Sequence, residues 1–229
     1  MTESIIIDNG SNTCKAGFSS DDMPRVEIPT VIGKPISWGE EDVKDEEENQ
    51  LDIFVGEEAI SKGGILDLLY PINNSIIENF DTMKKVWNHI FYNELLAETK
   101  SYPVIVSESP FAPYSSKLEM ARVLFEELNV ERLYITNTST LALYANGRTT
   151  GIVVDVGYKM TSCVPIYEGF VLNHAVNKIE LGGFHLTNYL STLINANLPE
   201  DQHFVNPNQI SMINELKEKI CVVAEDYDS

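Results

Sequence analysis

Apolar positions fall in two rhythms along this chain. Short β-branched runs at 5–7, 104–106, 152–154 and 162–166 have the length of buried strands and are bounded by turn residues. Further short strands are expected at 14–18, returning from the first run as a hairpin, and at 29–32, 133–136 and 170–173. Elsewhere the spacing stretches to the helical period. Met83, Val86, Trp87, Ile90, Phe91 and Leu95 recur every few positions over 81–96, with Asp81 near the start. Helices are also predicted over 57–62, from a cap at Ser115 or Ser116 to Glu127, over 139–145, and over 186–196 after Gly182-Gly183. A last helix starts at Asn206-Pro207-Asn208 and carries Ile210, Ile213, Leu216, Ile220 and Val223 on one face. Such alternation of strands and helices implies α/β layers, with helices covering a mixed sheet.

One phrase is written twice in this pattern. Ile5-Ile6-Ile7-Asp8-Asn9-Gly10 returns as Ile152-Val153-Val154-Asp155-Val156-Gly157. Each copy is a strand that ends in Asp-x-Gly, where the Gly lets the chain turn tightly. Backbone N–H groups in such a turn cradle phosphate oxygens, and a carboxylate beside them suits a hydrated magnesium ion. Either copy alone reads equally well as an ordinary buried strand. The matched pair points to two related lobes closing on one nucleotide.

Composition narrows the classes. A chain of 229 residues has room for one large domain or two small ones. The formal net charge of −19 argues against direct contact with nucleic acid or an anionic membrane. No apolar run is long enough to span a bilayer, and the opening Met1-Thr2-Glu3-Ser4 does not read as a signal peptide. Cys14, Cys163 and Cys221 fit no zinc spacing, so they are expected to be reduced thiols in a cytoplasmic or nuclear protein. Residues 36–52 centre on the block from Glu40 to Glu48, expected to be a solvated, mobile acidic loop.

The residues around the two phrases resemble the actin family. Asp8-Asn9-Gly10-Ser11 with Lys15-Ala16-Gly17-Phe18 is similar to the actin phosphate loop. Gly56-Glu57-Glu58-Ala59, Tyr70-Pro71-Ile72, Phe91-Tyr92-Asn93-Glu94-Leu95, Leu143-Tyr144-Ala145-Asn146-Gly147-Arg148 and Val164-Pro165-Ile166-Tyr167-Glu168-Gly169 follow in family order. The resemblance implies an α/β, actin-like ATPase-domain (ribonuclease-H-like) two-lobed fold, with a first lobe over 1–146 and a second over 147–229. Actins continue past this length, so the second lobe is expected to be incomplete. The implied cofactor is ATP or ADP with Mg2+, held through water by Asp8 and Asp155.

Carried over residue by residue, the resemblance implies phosphate contacts from Asp8, Gly10, Ser11, Asn12, Thr13 and Lys15 in the first loop. Asp155, Gly157, Tyr158 and Lys159 form the second loop, and Gly183, Lys217 and Glu218 stand at adenosine-contacting positions. Several positions depart from the family. Asn12 replaces a Gly. Tyr158-Lys159 replaces Asp-Gly, adding bulk and removing glycine's freedom; Lys159 either pairs with phosphate or points to solvent. The Arg expected after Gly183 is Phe184. Lys217 and Glu218 read equally as an exposed charged helix face. The catalytic Gln and His positions hold Thr138 and Ser162. Phosphoryl transfer rests on positioning and electrostatics, so neither short side chain orients water as Gln and His do.

The acidic block stands where actins carry the loop that grips the next subunit, and burying its carboxylates unpaired would be costly. Conventional filament formation is therefore not expected. Three readings stay open. One is an actin-like cytoskeletal protein that binds Mg-ATP weakly and hydrolyses little. Another is a nucleotide-independent actin-related subunit or interaction module of a larger complex: a filament cap, motor adaptor or chromatin component. The third is a truncated fragment without a function of its own. The partners implied are actin, actin-related proteins and actin-binding proteins, in the cytoplasm, at the cytoskeleton, or in the nucleus.

Overall fold

A computed structural model of the chain describes residues 3–36, 53–199, 202–204 and 207–226. The acidic block and Asn206 lie outside them. The first apolar run forms β1 (Ile5–Asn9), which folds back on β2 (Thr13–Phe18) with Ile7 facing Ala16 and Asp8 facing Lys15. β3 (Val26–Pro29) pairs with the far edge of β2. The strand expected at 29–32 is in fact a corner between two sheets. β3 ends at Pro29 and β4 (Ile32–Pro35) begins in a small separate sheet with β5 (Phe54–Val55) and, after α1 (Glu57–Ser61), β6 (Leu66–Leu69). Thr30 pins this corner by donating its hydroxyl to the Gly10 carbonyl at 2.7 Å.

A two-residue hairpin follows, β7 (Ile72–Asn73) and β8 (Ile76–Ile77), turned by Asn74 and Ser75 at φ of 45° and 62°. Both φ values are positive, as the tight hairpin turns that match strand twist require. α2 (Phe80–His89) is capped by Asn79, whose side chain accepts from the Thr82 N–H; Asp81 lies in the first turn rather than at the cap. The helix then widens into a π-helical turn over Ile90–Glu94. After β9 (Val104–Glu108), α3 (Tyr114–Arg122) starts behind Pro113 with no side-chain cap, so neither Ser115 nor Ser116 plays the role expected of it. Pro113 already holds the chain at φ −66°, and Ser116 is buried inside the first turn. A π-helical turn extends α3 through Val123–Glu127, and β10 (Leu133–Asn137) and α4 (Thr138–Ala145) complete the unit.

The main sheet runs β10-β9-β1-β2-β3, with β1, β9 and β10 parallel and the hairpin strands antiparallel. Its core holds Ile5, Ile7, Val104 and Val106 against Trp87, Phe91 and Leu124, all fully buried or nearly so. Parallel strands need cover on both faces, which is why they read as continuous apolar runs.

The second phrase forms β11 (Gly151–Val156), paired with β12 (Thr161–Tyr167). The far edge of β12 takes both β13 (Phe170–Val171) and β14 (Asn177–Ile179), so the expected strand at 170–173 stops early in a 3-10 turn at Asn173–Ala175. α5 (Gly183–Asn195) and α6 (Pro207–Ile220) follow. The apolar face expected on α6 is buried only at its middle: Ile213 is enclosed, whereas Leu216 and Ile220 are exposed and Val223 lies beyond the helix. Leu143 of α4 packs with Val164 and Ile166 beneath the second sheet, linking the two halves. No helix among the described residues is long and apolar enough to cross a membrane. The fold is mixed α/β, as expected.

Candidate functional site

The two repeated phrases build the same turn. A Cβ on Gly10 would lie 2.3 Å from the Thr13 carbonyl oxygen, and one on Gly157 would lie 3.0 Å from that of Met160. In both loops the glycine admits the carbonyl three residues on. Neither Asn12 nor Lys159 adopts positive φ among the described residues, so the loops do not need the glycine freedom whose loss the sequence suggested. The second loop is held by the start of α5: Gly183 N–H donates to the Gly157 carbonyl at 3.0 Å and Phe184 N–H to that of Tyr158 at 2.7 Å. Gly182 is obligatory there, because a Cβ would lie 2.5 Å from one of these oxygens and 2.6 Å from the other.

Between the loops lies a cavity of about 240 Å³. Asp8, Gly10, Ser11, Asn12, Thr13 and Lys15 line it from the first loop, and Asp155, Gly157 and Tyr158 from the second. Thr138 and Ser162 also face it. Sequence reasoning thus brought most of its candidates to one place. The carboxyl ends of the parallel strands β1 and β9, and the start of α4 just past β10, meet at this cavity, the usual position for ligands of open α/β sheets.

Hydrogen bonds fix the first loop. The buried Ser107 hydroxyl donates to Asp8 Oδ1 at 2.6 Å and accepts from the Asn9 N–H at 2.8 Å. Trp87 Nε1 donates to Asn9 Oδ1 at 3.1 Å. Ser11 Oγ accepts from the Ser75 N–H at 3.2 Å. Asp8, Lys15 and Glu27 stand in one row across β1, β2 and β3, with Lys15 Nζ 3.5 Å from Glu27. Burial against the cleft walls pushes the Asp155 carboxyl above the usual carboxylate range, and the charge of Asp8 adds to it. Burial likewise raises the Tyr158 hydroxyl.

Other candidates stand apart from this cavity. Lys159 neither faces the 240 Å³ cavity nor points to solvent: Nζ donates to Asn73 Oδ1 at 3.0 Å, linking the second loop to the β7–β8 hairpin, and lies 5.6 Å from the Phe184 ring. Lys217 is spent on structure, donating to the Gly183 carbonyl, Thr187 Oγ1 and Asn214 Oδ1 within 3.0 Å. Glu218 accepts from Asn214 Nδ2 at 2.8 Å. These bonds sew α6 to α5, and Gly183, Lys217 and Glu218 line neither this cavity nor its neighbour. The neighbour, about 410 Å³, meets the first at Ser11, Asn12 and Tyr158 and is walled by Tyr70, Phe184, Asn188 and Asn214. Tyr158 and Phe184 pack edge to face there, ring centres 5.7 Å apart.

The sequence reading missed Ser75, Ser109 and Pro110 on the cavity wall. Ser109-Pro110 directly follows a β-branched strand, and Asn73-Asn74-Ser75 is a turn signal between apolar pairs, so both carried local cues. Among the described residues no group of three or more His, Cys, Asp or Glu forms a metal cage. A family model described as Actin matches residues 1–229.

Proposed function

Because this chain belongs to the actin family, we propose that its cleft is a reduced nucleotide site, taking Mg-ATP or Mg-ADP weakly by the phosphates and turning ATP over slowly or not at all. The observation that carries this reading is the convergence of Asp8 and Asp155, from two copies of one phrase, on a single cavity with Ser11 and Lys15. The donor set fits a hydrated cation: burial raises the proton affinity of Asp155 and the charge of Asp8 adds to it, and a divalent charge would offset both. Magnesium keeps several waters and needs few direct ligands. Bound there, it would neutralise phosphate oxygens. Ser11 and the turn amides would hold those oxygens, and Lys15 would exchange Glu27 for them.

Weakness follows from the adenosine side. The cavity between the loops, about 240 Å³, suits a phosphate chain, and an adenosine would have to enter the adjoining cavity of about 410 Å³, which neither Lys217 nor Glu218 lines. Lys217 and Glu218 are already committed to bonds within α5 and α6. Slow turnover follows from Thr138 and Ser162, which bring neither amide nor imidazole to the cavity. The cellular role proposed is cytoskeletal, without conventional filament formation.

Thermal unfolding with and without Mg-ATP tests this reading. Ligand at 100 times its Kd adds about 2.7 kcal/mol to the folded state. A transition that rises with Mg-ATP, rises less in Asp155→Asn and Lys15→Ala, and is accompanied by little phosphate release agrees with it. Turnover at the rate of an ordinary actin would sink it. The Lys159–Asn73 bond and the bulk of Tyr158 favour the second reading, a nucleotide-independent actin-related subunit or interaction module. That reading gains if the transition ignores Mg-ATP while the chain binds purified actin saturably.

A further inference from the structure

Lys159 stands in the second loop, but its side chain ends on the other half of the chain. Nζ donates to Asn73 Oδ1 in the β7–β8 hairpin at 3.0 Å. The Asn73 amide is engaged at both ends, because its Nδ2 donates to Glu78 Oε1 at 3.1 Å. Turning the amide over would set its NH2 against the Lys159 ammonium, so the two neighbours fix its orientation. Ammonium, amide and carboxylate thus run in one row. A charged donor strengthens the first bond, and the carboxylate behind polarises the amide that accepts it. A glycine at position 159 would carry no side chain across the cleft.

Both ends of the row are anchored. In the second half, Lys159 Nζ lies 5.6 Å from the centre of the Phe184 ring, within cation–π reach. That ring meets Tyr158 edge to face, and the Phe184 N–H holds the Tyr158 carbonyl at 2.7 Å. In the first half, the hairpin is tied to the first loop, where the Ser75 N–H donates to Ser11 Oγ at 3.2 Å. First loop, hairpin and second loop are therefore joined in sequence beside the cavity. Asp8 and Asp155 face that cavity from opposite loops, and their like charges push the loops apart. The row opposes this push with no ligand present.

We propose that Lys159, Asn73 and Glu78 form a clasp that holds the two halves closed over the cavity without a ligand, in place of the bridge that bound phosphates would make between the loops. The relative position of the halves then does not depend on whether the cavity is filled. The clasp needs no nucleotide, so it stands whether or not Mg-ATP binds.

The test is a distance measured across the cleft in the full chain, with no ligand added. α1 and α6 face each other across the cavity of about 410 Å³, through Ile60 and Ile210. Nitroxide labels go on Glu57→Cys, exposed on α1, and on Cys221, exposed just past α6, for double electron–electron resonance. Cys163→Ser silences the half-buried thiol, and Cys14 is buried. A single narrow distance is expected in this background. Lys159→Met keeps the stem and removes the donor, and Asn73→Ala removes the acceptor. Each should lengthen and broaden the distribution, shifting the ratio of closed to open roughly tenfold. The double variant should go no further than either single one, because both remove the same bond. Glu78→Lys, at an exposed position, should also broaden the distribution and serves if the other variants do not fold. A broad distribution in the background chain, an unchanged one in the variants, or effects that add in the double variant overturn the proposal. Those outcomes leave the Mg-ATP reading to its own thermal test, and a transition that ignores Mg-ATP there leaves the clasp intact.

Discussion

The strands Ile5–Asn9 and Gly151–Val156 share a sequence pattern and end in the same kind of turn, yet one is the centre of a core and the other its margin. Ile5 and Ile7 are fully buried, while Ile152 and Val154 are mostly exposed. Each Asp-x-Gly admits the carbonyl three residues on. What differs is company: β1 lies between β2 and β9 within a cluster that includes Trp87, Phe91 and Leu124, whereas among the described residues β11 pairs with β12 alone. Local sequence is enough for a strand and a turn, because both depend on short-range sterics and β-branched side chains. Burial depends on which elements arrive to cover the strand.

The comparison is broken most directly by paired truncation. Ile7→Ala should cost about 3 kcal/mol in urea unfolding, from lost transfer energy and a cavity, and Val154→Ala less than about 0.5 kcal/mol. Equal losses would mean that Val154 is covered in solution. The turns come next. Gly10→Ala drives a methyl into the Thr13 carbonyl and should cost about 2 kcal/mol, whereas Gly157→Ala, with 3.0 Å to Met160, should cost under about 1 kcal/mol. Equivalent costs would show the two loops to be equally tight.

Ser107→Ala removes the donor to Asp8 and the acceptor for Asn9, with an expected loss of about 1–2 kcal/mol and a weaker response to Mg-ATP. Among the described residues no hydroxyl bond of this kind reaches Asp155, so Ser162→Ala should cost less. The smallest effect is a pH slope. Asp155 has a folded pKa above its unfolded value, so the folded state binds the proton more tightly. Its contribution to stability is full below the ordinary carboxylate pKa and is lost as pH rises through the raised one. Asp155→Asn should flatten denaturation curves across that interval and raise stability at neutral pH. An unchanged slope would place the carboxylate in ordinary solvent.

Much of this was legible beforehand, because long apolar runs and helical periods leave strong marks. The parallel strands, α2, α4 and the paired Asp-x-Gly loops stand where their patterns put them. Two-residue strands such as Phe54–Val55 and Ile76–Ile77 left no period to read. The run at 29–32 misled because one apolar stretch serves two sheets, a division made by the Thr30 anchor on Gly10. In the cleft, residue types were readable and their commitments were not. Lys159 and Lys217 are cations suited to phosphate or ribose by chemistry, but Asn73, Thr187 and Asn214 claim them first.

By itself, the sequence determined the longer strands and helices, the two Asp-x-Gly turns and the gathering of polar side chains at strand ends, since each follows from backbone sterics, periodicity and residue chemistry over a few positions. Tertiary structure alone decided that β1 is enclosed and β11 is not, that Lys217 ties helices together, and that Tyr158 stands between two cavities. Those outcomes depend on neighbours distant in sequence, whose packing and hydrogen bonds compete for each group, and no local pattern records who wins.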